Sequence, residues 1–260
     1  MKIGSDKDNS QSEGLADLIK ESSEKDKHNL SGKKKAEFIW DYYKWWIIGG
    51  IAAIIVGFIF IRDYRENSKP TYLYVEMLNT YLGIDSAASN SMFNDFAAEA
   101  GIDLSKEHLT IGVETTLSED SFDTTMMAYQ QRLIANYSAG ELDVVIGPKN
   151  IVEGPANCGA YVRFDEIVPP DLMDELIDRE YELYYFDPGA DEIEDYEGED
   201  LTPYCAGIYL DNCAYLNNIG EQGAYPVAES ENERVVFTVA ANSNRTDHAI
   251  EFLRFLTLNR

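Results

Sequence analysis

The pattern of apolar and polar positions divides the chain into two unlike parts. Residues 1–32 carry few large apolar side chains; only Leu15, Ala16, Leu18 and Ile19 hint at a short helix. So little apolar surface cannot offset the entropy of ordering, and this part reads as a disordered tail. Residues 33–44, KKKAEFIWDYYK, place Phe38, Ile39, Tyr42 and Tyr43 at helical spacing, an amphipathic juxtamembrane lead-in. From Trp45 to Ile61 come 17 residues without a charge, WWIIGGIAAIIVGFIFI, closed by Lys44 and Arg62. As a helix this run spans about 25 Å, close to the roughly 30 Å hydrocarbon core of a bilayer once its ends snorkel. Trp40, Tyr42, Tyr43, Trp45 and Trp46 crowd one end and Tyr64 sits at the other, as interfacial anchors do. The alternatives are a buried core helix and a secretory signal. A signal begins nearer the N-terminus and ends in a small-residue cleavage site, which is missing before RDYREN. The pattern predicts one transmembrane helix over 45–61 and a polar linker over 62–70, ended by Pro70.

Beyond residue 70 the period alternates between two and about 3.6. Strands are expected at Thr71–Leu78, His108–Thr115, Leu142–Gly147, Tyr181–Phe186, Ala206–Asp211 and Arg234–Asn242. The run Leu142–Gly147 is continuously apolar, the mark of a strand buried on both faces. Helices are expected around Met92–Ala100 with Gly101 as the stop, over Ser121–Ser138 with Ser121 as cap, from Pro169 or Pro170 to Asp178, and over the last residues from Asn244. Lys149–Gly159 reads as a helix or turn, and Asn212–Gly220 as helical or irregular. The segment Asp187–Asp200 is strongly acidic, bears Pro and Gly, and reads as a loop. Alternating strands and helices imply an α/β domain over 71–260 with a mainly parallel sheet flanked by helices.

Charge changes the picture further. The chain has a formal net charge of −26. Residues 1–44 hold 9 Lys against 9 Asp and Glu, so the remainder carries 12 basic and 38 acidic residues and the whole −26. A nucleic-acid partner is therefore excluded from consideration, because its phosphates would be repelled. Lys33, Lys34, Lys35 and Lys44 precede the apolar run, while Arg62, Arg65 and Lys69 follow it. This bias favours a cytoplasmic N-terminus and an extracytoplasmic C-terminal domain. Gly50, Ala53 and Gly57 offer small-residue spacing for helix packing. Cys158, Cys205 and Cys213 are the only cysteines, and they read as ordinary thiols or as a Cys205–Cys213 disulfide with Cys158 left over.

Several phrases in YQQRLIANYSAGELDVVIGPKNIVEGPANCGAYVRFDEIVPPDL resemble the extracellular solute-binding proteins of ABC transporters. Ala139, Gly140, Glu141 and Asp143–Gly147 carry the first phrase, and Gly159, Ala160, Phe164, Asp165, Ile167, Val168, Pro169 and Asp171 the second. In VFTVAANSNRTDHAIEFLRFL, Ala249, Glu251, Phe252, Leu253 and Phe255 carry a third. The resemblance implies a periplasmic-binding-protein-like fold, a small solute as ligand, and an ABC permease or other envelope protein as partner. The chain departs from it in leaving little room for a second lobe and in having no lipid-attachment cysteine ahead of the domain.

Ligands of open α/β sheets sit at the carboxyl ends of strands. That rule selects Asn79, Thr80 and Tyr81, then Thr115 with Thr116, then Pro148, Lys149 and Asn150; the resemblance points to the last group as well. Tyr204, with Tyr209 and Asn212, is expected to face the same cleft from the other side. For each, the alternative is an ordinary strand–helix turn or one tyrosine among 17. Asp191, Glu192, Glu194 and Asp195 are candidate calcium ligands, but they lack EF-hand spacing and read as a solvated loop. The three histidines fall in no catalytic motif, and no Cys/His cluster suggests zinc. The sequence therefore implies no cofactor and no metal. It implies a non-catalytic, membrane-tethered domain that binds a solute for a transporter or sensor, or an envelope interaction module whose binding fold has lost its ligand.

Overall fold

The computed structural model describes residues 32–117, 124–187 and 202–258. The predicted acidic loop beyond Asp187 with its calcium candidates, the Ser121 cap, and all of the predicted tail except Gly32 lie outside them. The chain forms two compact units, 1–68 and 69–260.

In the first unit a single 36-residue helix, α1, runs from Gly32 to Asn67. The lead-in, the apolar run and most of the expected linker thus form one element. The boundary predicted at residue 62 moves because RDYREN contains no helix breaker, whereas the residue before Pro70 is driven out of the helical region. Ser68 Oγ donates to the Tyr64 carbonyl at 2.6 Å and closes the last turn. Apolar side chains are exposed all round the axis, from Trp46 at 82 % through Ile54 at 73 % to Phe60 at 71 %. Among the described residues no helix is long and apolar enough to cross a membrane. The side chains of 32–39, 41–44 and 47 lie outside the description, and the run extended past Ile61 at once takes in Arg62, Asp63 and Arg65.

The second unit is an α/β domain around one six-stranded sheet. Its strands are β1 (Thr71–Met77), β2 (His108–Gly112), β3 (Val144–Pro148), β4 (Leu183–Phe186), β5 (Tyr204–Tyr209) and β6 (Val235–Val239), in the spatial order β2-β1-β3-β6-β5-β4. The helices are α2 (Ser86–Glu99), α3 (Thr124–Ala139), α4 (Lys149–Ala156), α5 (Phe164–Ile167), α6 (Pro170–Asp178), α7 (Ala214–Asn218) and α8 (Thr246–Leu258). The expectation of a mainly parallel sheet is corrected to a mixed one. The β1–β2 and β1–β3 pairs are parallel, while β3–β6, β5–β6 and β4–β5 are antiparallel. A parallel return needs a crossover built on a substantial helix. The only α-helix between β5 and β6 is the five-residue α7, so β6 comes back antiparallel. Strands β1, β2, β3 and β5 therefore end at one edge of the sheet, where β4 and β6 begin.

Side chains pack on both faces of the sheet. Leu73, Val75 and Met77 of β1 meet Phe96 of α2 and Phe252 of α8, whose rings lie 4.8 Å apart. On the other face Leu78, Val145, Leu133, Tyr184 and Val236 form the second layer. Val144, Val145 and Ile146 are fully buried, as the continuous apolar run requires. Cys205 and Cys213 are both free thiols. Cys205 lies near the start of β5 and Cys213 beyond its far end, so the strand between them separates them by more than the roughly 7 Å a disulfide tolerates.

Candidate functional site

The order reversal at β1, with β2 on one side and β3 on the other, makes a crevice at their carboxyl ends, where open α/β sheets bind ligands. The sequence selected residues on this edge, and the structure shows what each one does there. Asn79 adopts φ 55°, a left-handed conformation that asparagine tolerates. Its backbone N–H donates to the Thr115 carbonyl at 3.0 Å. Its side chain donates to the Leu117 carbonyl at 2.8 Å and accepts the Leu117 N–H at 2.7 Å. These bonds draw residues 115–117 toward β1, which is why β2 ends at Gly112 and not at Thr115 as expected.

Thr80 and Tyr81 are committed in the same way. Thr80 Oγ1 donates to the Ala224 carbonyl at 2.6 Å and accepts the Leu82 N–H at 3.2 Å, capping the short turn Tyr81–Gly83. The Tyr81 N–H donates to the same Ala224 carbonyl at 2.9 Å. The next residue, Tyr225, donates its hydroxyl to the Ile146 carbonyl of β3 at 3.1 Å. Residues 224 and 225 therefore bind the turn that follows β1 and the backbone of β3 at Ile146.

Thr115 is buried and points inward. Its hydroxyl donates to the carboxylate of Glu76 on β1 and accepts from Arg132 Nη2 of α3 at 2.5 Å. Arg132 Nη2 also pairs with Glu76 Oε1 at 2.8 Å; the Glu76 side chain is 2 % exposed and that of Arg132 45 %. This is a carboxylate held inside the sheet by one hydroxyl and one half-exposed guanidinium. Tyr74, two residues back on the same face, accepts from Asn136 Nδ2 at 3.0 Å. Burial and then the Glu76 carboxylate push its hydroxyl up to about 12. Gly112 pairs with Glu76 across the strands, and a Cβ there would collide with the carboxylate.

Pro148 leads directly from β3 into α4 with no side-chain cap. The Lys149 N–H donates to the Arg234 carbonyl at 2.9 Å, and its ammonium lies 3.6 Å from Glu153 Oε1. Asn150 Oδ1 is buried without a hydrogen-bond partner. Tyr204 is not brought to this edge. It begins β5 at the opposite edge, with Phe186 against its ring at 5.8 Å and the Arg163 guanidinium 5.4 Å from its centroid. The strand places it about 17 Å from Tyr209 at the near edge.

The most polar arrangement on the edge is one the sequence only touched. Arg234, just before β6, donates from Nε to Asp211 Oδ2 at 2.6 Å and from Nη1 to Glu182 Oε2 at 2.9 Å and Glu231 Oε2 at 3.4 Å. Its guanidinium carbon lies 3.7 Å from the centroid of the Tyr209 ring. Tyr209 donates to Glu231 Oε1 at 2.8 Å. That bond, with Arg234, holds the Glu231 carboxyl below its ordinary range against the opposing effect of burial. Burial and then Glu231 raise the Tyr209 hydroxyl. Burial opposes the Arg234 charge, but its bonds to Asp211 and Glu182 outweigh that and make it still more basic. Tyr209 and Asn212 pointed here from the sequence. Arg234, a lone cation among acids at a strand start, was the signal overlooked.

Beside Arg234 lies a hollow of about 540 Å³. Leu210, Leu216, Tyr225 and Val235 supply apolar lining, and Asp211, Glu229 and Glu231 supply carboxylates. Among the described residues no cluster of His, Cys, Asp and Glu could hold a metal ion. Comparison with family models, curated proteins and solved structures finds no match.

Proposed function

We propose that this chain is a single-pass membrane protein, with its N-terminus in the cytoplasm, that displays residues 69–260 outside as a non-catalytic docking module. The tether is supported by 17 uncharged residues on one continuous helix with apolar side chains exposed on every side. A helix that is apolar all round needs either a protein core or a lipid one. The docking reading is carried by one observation. Ala224 and Tyr225 bond to the turn that follows β1 and to the β3 backbone at Ile146, beside the edge where a solute would approach the sheet. Asn79, Thr80 and Thr115, expected to meet a ligand, bond to the chain itself. A partner protein of the envelope then meets the outer surface of this edge. Protease added to intact cells is expected to remove the C-terminal domain while an N-terminal tag survives; survival of the domain would reverse the orientation.

A second reading keeps a periplasmic-binding-protein-like fold reduced to one lobe, which captures a small solute for an ABC permease or a sensor. The sequence phrases and the 540 Å³ hollow favour it, since ligand sites commonly fall in this size range. Thermal unfolding of the purified chain with sugars, amino acids, short peptides and Ca²⁺ separates the two. No rise in Tm is expected with the small solutes; a dose-dependent rise with one of them would favour the second reading.

A further inference from the structure

We propose that the hollow beside Arg234 docks a lysine-bearing segment of a partner protein. This names the partner chemistry for the docking module and rests on that reading. The floor is apolar, formed by Leu210, Leu216, Tyr225 and Val235, and the carboxylates of Asp211, Glu229 and Glu231 stand among its lining. A lysine matches both: its methylene stem lies on apolar surface while its ammonium reaches a polar rim. The one cation in the lining is withdrawn from solvent competition. Arg234 is tied to Asp211, Glu182 and Glu231 and lies over Tyr209. Three acids against one base leave the lining at −2, on a polypeptide that carries −26 overall. Val227, 90 % exposed, and the exposed Glu229 stand at the mouth, so an extended segment can enter without the fold opening. An anionic segment meets the net negative charge of the lining, and a purely apolar one leaves the exposed Glu229 carboxylate without a partner of opposite charge.

The experiment uses the full chain in detergent and a fluorescein-labelled ten-residue peptide alternating Lys and Val, with a Glu–Val peptide of equal length as control. Anisotropy is expected to show binding of the Lys peptide alone, weakening as salt rises from 50 to 200 mM. Glu229→Lys and Val227→Lys, both at exposed positions, are expected to weaken it roughly tenfold each while the unfolding midpoint stays put. Absence of binding, or equal binding by the wild type and both variants, overturns the proposal. Full displacement of the peptide by the single residue N-acetyl-lysine methylamide at equal concentration also overturns it, because the hollow is then a small-amine site. Binding to the purified chain does not depend on topology. A domain found inside the cell would defeat the membrane reading and leave this result standing, and the reverse holds equally.

Discussion

The Tyr225 hydroxyl and the Leu78 N–H converge on one acceptor, the Ile146 carbonyl, at 3.1 and 2.7 Å. Both lone pairs of this carbonyl, in the middle of β3, are thereby taken up from within the chain. With the bonds from Thr80 and Tyr81 to Ala224, this relationship turns a crevice that open α/β sheets use for ligands into a closed joint.

The joint is open to a direct test. Tyr225→Phe keeps the ring and removes only the hydroxyl. It is expected to lower stability by about 1 kcal/mol, the net worth of one hydrogen bond, seen as a lower urea midpoint at unchanged slope. An unchanged midpoint would mean that the hydroxyl contributes nothing to holding residues 224–225.

Arg132→Met removes the guanidinium from Glu76 and leaves a carboxylate that is 2 % exposed without its counter-charge. Truncating one member of a buried pair costs about 3–5 kcal/mol, and the half-exposed Arg132 places this case near the lower end. The expected loss is about 3 kcal/mol. Adding Glu76→Gln to the same chain should recover much of it, because a neutral amide can still accept from Thr115. Failure of the second change to restore stability would show that the contact of the Arg132 guanidinium with the Tyr129 ring, and not its pairing with Glu76, sets the cost.

Much of the domain was legible from the sequence because its signals are local. The apolar run of β3, the proline that opens α6 and the amphipathic period of α8 each specify their own element. Gly101 and Gly140 stop their helices with φ of +67° and +66°, as glycine does after a C-cap. Strand direction was not legible, since it depends on how far each connection must travel, and the segment Asn212–Gly220 read only as helical or irregular, with no signal for the length of α7. The candidate site fared similarly. Position along the chain placed Asn79, Thr80 and Lys149 together at one edge of the sheet. It could not show that their polar groups bond inward, because their partners, Leu117, Ala224 and Arg234, lie far along the chain. Tyr204 was misplaced for a simple reason: it opens its strand, and the strand runs away from it toward the edge in question.

Gly207 sits in the middle of β5, where a Cβ would collide with the Phe237 carbonyl of β6. That carbonyl belongs to a fully buried residue at the centre of the sheet and has nowhere to move. Gly207→Ala is therefore expected to destabilise the domain by about 3 kcal/mol, at the upper end for overpacking. Gly154, with open space around it, serves as the control, and Gly154→Ala is expected to be neutral or mildly stabilising within its helix. Equal midpoints for the two variants would contradict the close approach of β5 and β6.

Alkaline pH tests the interior as a whole. Burial pushes the Cys205 and Cys213 thiols from the ordinary 9.0 up to about 11, and burial together with Glu76 pushes Tyr74 from 10.0 to about 12. Cys205 is 3 % exposed and Cys213 fully buried, with Cys213 Sγ donating to the Leu256 carbonyl at 3.1 Å. In each case the folded chain keeps a proton that the unfolded chain releases. The contribution to stability is therefore complete below about pH 9 for the thiols and below about pH 10 for Tyr74. It is lost as pH rises toward 11 and 12, at about 2 kcal/mol for each thiol. Urea midpoints are expected to hold level up to pH 9 and then fall steadily. Cys205→Ala with Cys213→Ala should flatten the early part of that fall. At pH 8 a disulfide-exchange reagent should titrate one thiol quickly, the exposed Cys158, and the other two only after denaturation. Three fast thiols in the native chain, or midpoints that rise above pH 9, would show that the layer beneath α8 and the centre of the sheet admit solvent.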